Sequence, residues 1–170
     1  MRRREFITLV ARAQQAAMPV VAFINGGSGV TSARLVAAFS KGLKENGYID
    51  GKNVTVTRER PDALFAAPDI FFASRAAQFA TFAAREKIPA AYAVSELVVA
   101  GGLTSYGTDF ADLYHQVGVY SGSILKGAKT TDLPVLQSSK FEFVINLQTA
   151  RALGIEVPPG VLTIADQVID

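Results

Sequence analysis

The chain has 170 residues, of which 49% are hydrophobic and 19% are charged, and its formal net charge is +2. This length and composition predict one globular domain with a substantial core and exclude a disordered chain. Three of the basic residues are Arg2, Arg3 and Arg4, so no basic face remains to predict a nucleic-acid partner. Because cysteine is absent, disulfides, thiol nucleophiles and Cys-ligated metal sites are excluded.

Residues 1–15 are predicted to form a shortened export signal of the twin-arginine type. Arg-Arg precedes a Phe-Ile pair, and Ala11-Arg12-Ala13 is typical of a small-residue cleavage site. The apolar stretch 6–11 is shorter than the roughly 7–15 residues of an ordinary signal. The alternative is a basic N-terminal arm. No other stretch approaches the ~20 apolar residues of a membrane span.

Residues 16–170 are predicted to form a single α/β domain that begins with a strand–helix–strand unit. Residues 19–24 (PVVAFI) are continuously apolar, as in a buried strand, and residues 53–58 predict a second strand. A helix is expected between them, from about Ser32 to Asn46, with Gly47 as its stop signal.

A glycine-rich turn joins the first strand to this helix. It comprises Asn25, Gly26, Gly27, Ser28 and Gly29. Neither G-x-G-x-x-G nor the P-loop spacing is present, which argues against a nucleotide site. The turn indicates either a tight strand-to-helix connection or contact with a small ligand, for which Asn25 and Ser28 offer hydrogen bonds.

The central stretch, residues 62–107, predicts a buried strand over 63–67, a helix capped by Ser74 and ending near Lys87, and a strand over 90–93. Asp69 follows the first of these strands. In open α/β sheets, ligands bind outside the carboxyl ends of strands, so Asp69 is a candidate ligand contact. The alternative is turn chemistry, in which the carboxylate accepts hydrogen bonds from nearby backbone N–H groups.

The connection at residues 58–62 is too short for the crossover that joins neighbouring parallel strands. The strands on either side of it are therefore expected to be antiparallel or to belong to different sheets.

The last third of the chain predicts a helix to about Lys126, capped by Thr108 or Asp109 and apolar on one side. Residues 140–147 alternate in polarity, which predicts a half-exposed strand at a sheet edge. Residues 161–169 predict a final helix. The single histidine, His115, falls within the first of these helices and no G-x-S-x-G is present, so neither a catalytic triad nor a metal site is predicted.

Several stretches, in this order, resemble the substrate-binding proteins of ABC transporters. The resemblance is to the type I periplasmic binding protein family that includes tryptophan- and tyrosine-binding members. The matching stretches are RREFIT, PVVAFINGGS, FSKGLKENGYIDGKNVTV, PDIFFASRAAQFATFAAREKIPA, AGGLTSYGTD, GVYSGSILKGAKTTDLPV and FEFVINLQTARALGIEVPP.

The resemblance implies a Rossmann-like parallel sheet flanked by helices, from a fold of two lobes that close over a solute. Residues 18–60 and 105–170 would be lobe-one-like and 62–104 lobe-two-like. It implies a periplasmic protein that is not an enzyme, needs no cofactor, and delivers a small solute to an inner-membrane permease. The implied ligand contacts are Asn25, Gly26, Gly27, Ser28, Asp69, Ser105 and Tyr106, with Asp69 pairing with a ligand amino group.

The chain departs from this family in length, since family members are much longer. The missing material would fall at residues 58–62, as in a member with internal deletions. Two alternatives therefore stay open. One is a non-functional or structural remnant that self-associates, for example as a homodimer. The other is a small phosphate-binding, flavodoxin-like module that uses the Gly26–Gly29 turn, with Arg34 as its nearby cation.

Overall fold

The computed structural model describes residues 18–26, 29–57, 61–135 and 139–170, which form a mixed α/β fold. The strands are β1 (Val20–Ile24), β2 (Thr55–Thr57), β3 (Ala63–Ala66), β4 (Ala90–Tyr92), β5 (Thr104–Thr108), β6 (Phe141–Asn146) and β7 (Gln167–Ile169). The helices are α1 (Gly29–Glu45), α2 (Ile70–Ala73), α3 (Ala76–Arg85), α4 (Glu96–Val99), α5 (Phe110–Leu125), α6 (Leu147–Ala152) and α7 (Pro159–Thr163). The predicted export signal, residues 1–15, lies outside the described residues.

One seven-stranded sheet runs in the order β2-β1-β3-β4-β5-β6-β7. The first five strands in this order are parallel, β6 is antiparallel to β5, and β7 is parallel to β6. The prediction of a mainly parallel α/β sheet flanked by helices is confirmed. Within the part of the chain that is described, no helix is both long and apolar enough to cross a membrane.

Helices cover both faces of the sheet, and side-chain alternation along the strands divides the core between them. On one face, Leu64 and Tyr92 pack with Leu97 and Val98 of α4. On the other, three phenylalanines of β1, α1 and β3 have ring centroids 5.2–5.6 Å apart. Further along that second face, Phe143 of β6 packs against α7.

The expectation that the strands flanking residues 58–62 are antiparallel or in different sheets is wrong. Both β2 and β3 lie parallel to β1, one on each side of it. The register explains how a short connection suffices. Thr57, the last residue of β2, is level with Ala22 of β1, and Ala63, the first residue of β3, is level with Val21. Because β2 ends where β3 begins, the chain needs to return by only one residue along the strand direction.

The predictions for the C-terminal segment are also wrong in two respects. The strand β6 is not at an edge, because β5 and β7 flank it, and its residues 143–146 are buried. The predicted final helix is instead the short α7 followed by β7. The carboxylate of Asp166 accepts a hydrogen bond from Phe143 N (2.7 Å), and Phe143 O accepts one from Asp166 N (2.9 Å). These long-range bonds bring the last residues alongside β6 and override a local helical pattern.

The helix predicted from Ser74 to about Lys87 is α3, but Ser74 is not its N-cap, because Ser74 ends the preceding helix α2. Asp69 caps α2, Ser74 is the C-cap of that helix, and α3 begins after Arg75. At α5 the predicted cap Asp109 is confirmed, since its carboxylate accepts a hydrogen bond from Asp112 N at 3.0 Å. None of the residues of α5 is buried.

Candidate functional site

Two of the predicted ligand contacts meet where β1 and β3 end. Because these strands are parallel neighbours, with Ile24 level with Ala66, their carboxyl ends lie at the same edge of the sheet. A Cβ atom added to Gly26 would lie 2.4 Å from Oδ2 of Asp69. Only glycine therefore allows the carboxylate to approach the turn this closely.

The two oxygens of Asp69 have different surroundings. Oδ1 accepts a hydrogen bond from Phe71 N at 2.8 Å and caps α2. Oδ2 is the oxygen nearest to the position that a Gly26 side chain would take. The side chain is half-buried. Asp69 therefore has the expected turn chemistry at one oxygen, while the carboxylate as a whole lies at the ligand-facing edge of the sheet.

Asn25 holds the turn against α1. Its Oδ1 accepts a hydrogen bond from Oγ of Ser32, which is buried, at 3.0 Å. This contact fixes the direction of the chain as it leaves β1. The other two predicted contacts in this turn, Gly27 and Ser28, lie outside the described residues.

Two residues that the sequence reasoning missed, Phe71 and Arg75, extend this site. The guanidinium carbon of Arg75 lies 4.1 Å from the centre of the Phe71 ring, the geometry of a cation–π contact. Phe71 is 49% exposed and its neighbour Ile70 is 88% exposed. A cationic and an apolar group thus lie in contact within the segment that follows Asp69. The sequence feature that could have identified these residues is the apolar Ile-Phe-Phe run directly after Pro68-Asp69, because such a run is not typical of a polar turn.

The remaining predicted contacts, Ser105 and Tyr106, lie inside the sheet. Ser105 is buried on β5, level with Tyr92 of β4. Tyr106 points to the opposite face and stacks on Phe141, with ring centroids 5.8 Å apart. Since β4 lies between β3 and β5, roughly 10 Å separates β3 from β5. The structure therefore does not bring Ser105 and Tyr106 to the Gly26–Asp69 edge, and their role in ligand binding stays a prediction.

Burial raises the pKa of Tyr92 to about 12. Among the described residues, neither its hydroxyl nor the Ser105 hydroxyl has a hydrogen-bond partner. A phenol in this state remains neutral at physiological pH and acts in the core rather than in proton transfer.

His115 is exposed on α5, away from the turn. Over residues 18–26, 29–57, 61–135 and 139–170, no group of three or more His, Asp or Glu side chains is arranged to hold a metal ion.

Comparison with known proteins identifies a family match. Residues 53–169 match the family model described as ABC transporter substrate binding protein. No curated protein matches the chain.

Three solved structures share the fold. A conserved domain protein from Vibrio cholerae is similar with a TM-score of 0.75 and 21% identity, over 98% of this chain and 60% of that one. The ABC domain in complex with L-Trp from Streptococcus pneumoniae has a TM-score of 0.75 and 26% identity, over 94% of this chain and 59% of that one.

The third is the ligand-free, open form of a substrate-binding protein with adhesive properties from Clostridium difficile. Its TM-score is 0.62 and its identity 23%, over 97% of this chain and 58% of that one. The chain thus spans about three fifths of the length of the solved proteins that it matches.

Proposed function

The chain belongs to the family of ABC transporter substrate-binding proteins, and on that basis we propose that it is the solute-binding component of an ABC import system. The solute is a small amino-acid-like molecule that is bound without chemistry and delivered to an inner-membrane permease from the periplasm. The observation that carries the proposal is the approach of Asp69 to Gly26 at the carboxyl ends of β1 and β3, together with the Arg75–Phe71 contact in the following segment.

Asp69, Arg75 and Phe71 carry groups that are complementary to an α-amino acid. The Asp69 carboxylate suits the ammonium group, the Arg75 guanidinium suits the carboxylate, and the exposed ring of Phe71 suits an aromatic side chain. The L-Trp bound to the similar domain from Streptococcus pneumoniae supports an aromatic amino acid as the first ligand to test.

The site is open at the sheet edge, and we propose that binding completes by lobe closure, which excludes water from the solute. In this proposal residues 18–60 and 105–170 are lobe-one-like and 62–104 lobe-two-like. Asn25, Gly26 and Asp69 contact the solute, and Gly27, Ser28, Ser105 and Tyr106 are further contacts. The greater length of the similar solved proteins supports a second set of ligand contacts beyond this edge.

The test is thermal unfolding of the full chain with L-tryptophan, tryptamine or indole-3-propionate, since binding to the native state raises the melting temperature. We expect L-tryptophan to raise it. Tryptamine lacks the carboxylate and indole-3-propionate lacks the ammonium group, so each should act only at about 10- to 100-fold higher concentration.

The sharpest variant is Asp69→Asn, because asparagine also caps helices but carries no charge. It should leave the melting temperature without ligand nearly unchanged and remove the shift with L-tryptophan. The matched control is Asp109→Asn, which makes the same change at the cap of α5 and should keep the full shift. Equal losses in both variants would contradict the assignment of Asp69, and the absence of a shift with any amino acid would contradict the function.

The same thermal-unfolding assay also tests the phosphate-binding alternative. A shift produced by inorganic phosphate and removed by Arg34→Gln would favour a phosphate site at the glycine-rich turn. Arg34 is exposed on the second turn of α1.

A further inference from the structure

The helix α5 is exposed over much of its surface. None of its 16 residues is buried. The two ends of the segment that connects β5 to β6 lie close together, since Asp109 N donates a hydrogen bond to Lys140 O (3.2 Å). The returning segment contacts the helix where the Tyr120 hydroxyl donates a hydrogen bond to Pro134 O and where Lys140 forms an ion pair with Asp112.

Exposed residues on one side of α5 have the spacing of a helix–helix contact. Phe110, Tyr114, Val117, Ser121 and Ile124 are separated alternately by four and three residues, the spacing of core positions in paired helices. All five are exposed, and four of them carry large apolar or aromatic side chains. We call these five residues the α5 seam. The seam is about 21 Å long.

A helix of this kind is not stable alone in water, because most helical stability in proteins comes from packing an apolar face. The half-buried residues of α5 are Asp112, Leu113, Gln116, Tyr120, Gly122 and Ser123. Leu113 and Tyr120 border the seam, whereas Asp112, Gln116 and Ser123 lie on a different side of the helix. The exposed seam is therefore a surface suited to a partner helix.

The charges at the two ends of α5 indicate which helix this is. Residues 113–125 contain no Asp, Glu, Lys or Arg. Asp109 lies at the start of α5, where Asp112 is already paired with Lys140, and Lys126 and Lys129 follow the end of the helix. A second copy in antiparallel orientation places each acidic end opposite a basic end and also opposes the two helix dipoles. A parallel copy would place like charges together.

We propose that the α5 seam joins two copies of this chain in an antiparallel, two-fold symmetric helix pair centred on Val117. In this pair Phe110 lies level with Ile124 of the second copy, and Tyr114 lies within one residue of the level of Ser121. Such an isologous contact closes on itself, so the assembly stops at a dimer. The contact uses none of the residues of the ligand site, and the ligand experiments test that site separately.

The first test is the mass of the full chain in sedimentation equilibrium, from low to high micromolar concentration. The wild-type protein should pass from monomer to dimer. Val117→Glu places two carboxylates at the symmetry axis and should weaken association at least about tenfold. Its matched control is Val119→Glu, which makes the same change on the other side of the helix. Val117 is 51% and Val119 54% exposed, so the variants differ in position rather than in burial.

Three results would overturn the proposal. They are a monomer at every concentration, assemblies larger than a dimer, and equal association of the Val117→Glu and Val119→Glu variants. Circular dichroism of both variants tests whether each is folded. A monomeric wild type would assign the seam to a different occupant, such as the second lobe of a longer protein.

A second test uses the absence of cysteine from the chain. Val117→Cys, a small apolar change, should give a disulfide-linked dimer under mild oxidation. Phe110→Cys should not, because antiparallel pairing places the two copies of this residue about 20 Å apart. Cross-linking at Phe110→Cys in equal yield would overturn the antiparallel arrangement.

Discussion

Glycines mark the positions where backbone segments approach most closely. At Gly107, in β5, an added Cβ would lie 1.8 Å from the carbonyl oxygen of Ala93, which follows β4. That oxygen belongs to the backbone, so an alanine could be accommodated only if one strand moved. The G-G-L-T-S-Y-G stretch is thus explained by packing at this position and does not require a ligand.

We therefore expect Gly107→Ala to lower the free energy of unfolding by about 1–3 kcal/mol or more, because the new methyl group separates β4 from β5. Gly42→Ala is the matched control. It lies within α1, where an added Cβ meets nothing within 4 Å. It should raise the free energy of unfolding by roughly 0.5–1 kcal/mol. Urea unfolding of both variants measures these changes, and equal effects would contradict the packing explanation.

Tyr92 combines complete burial with a pKa raised to about 12 by loss of hydration. The unfolded state ionises this phenol from about pH 10. The contribution of Tyr92 to the free energy of unfolding is therefore fully present below pH 10. It is lost as the pH rises toward 12, since only the unfolded state then loses the proton. The loss is about 1.4 kcal/mol per unit of difference between the two pKa values.

The measurement is the midpoint of urea unfolding between pH 9 and about pH 11 in the wild type and Tyr92→Phe. The variant should lose less stability over this range. At neutral pH it should be close to the wild type, since the hydroxyl has no partner among the described residues. Tyr48→Phe is the control and should keep the wild-type decline. An unchanged decline in Tyr92→Phe would contradict the prediction.

At the scale of helices and strands, sequence patterns correctly predicted the elements that depend mainly on residues close in sequence. The apolar runs of β1, β3 and β4 and the cap of α5 follow from composition and spacing. The segments that were predicted wrongly depend on distant partners. The strand β7 forms because Asp166 bonds Phe143, and β6 is central because β7 covers its free edge.

The start of α5 is tied to β6 by an ion pair. Lys140 Nζ lies 2.7 Å from Asp112 Oδ1. The hydrogen bond from Lys140 holds the pKa of Asp112 below its usual value, and the same pair raises the pKa of Lys140. A lowered carboxyl pKa stabilises the folded state at neutral pH, and this contribution is lost as the pH falls through the folded-state pKa.

Lys140→Gln should therefore raise the pKa of Asp112 toward the ordinary value for aspartate. It should also lower stability more at pH 7 than at about pH 2, where the carboxylate is protonated in both states. The pKa is read from the pH dependence of the Asp112 carboxyl resonance in NMR. Lys129→Gln, beyond the other end of α5, should leave the pKa of Asp112 unchanged. A shift of equal size in Lys129→Gln would argue against the pair.

At the scale of the whole molecule, the site and the seam are separate features of one sheet. The candidate site lies where β1 and β3 end, and α5 leaves the sheet at β5, beyond β4. Ligand binding and self-association can therefore be changed independently, by Asp69→Asn and by Val117→Glu. Their independence follows from position, because the residues of the two features share no contact.

Sequence alone determined the class of fold, the family resemblance, and the placement of Gly26 and Asp69 at strand ends. These rest on apolar periodicity, on turn chemistry and on the order of motifs along the chain. Only the tertiary structure decided that β2 and β3 flank β1, that Arg75 lies on Phe71, and that Ser105 is buried away from the Gly26–Asp69 edge. The physical reason is that register and sheet order are set by hydrogen bonds between residues far apart in sequence, which no local pattern encodes.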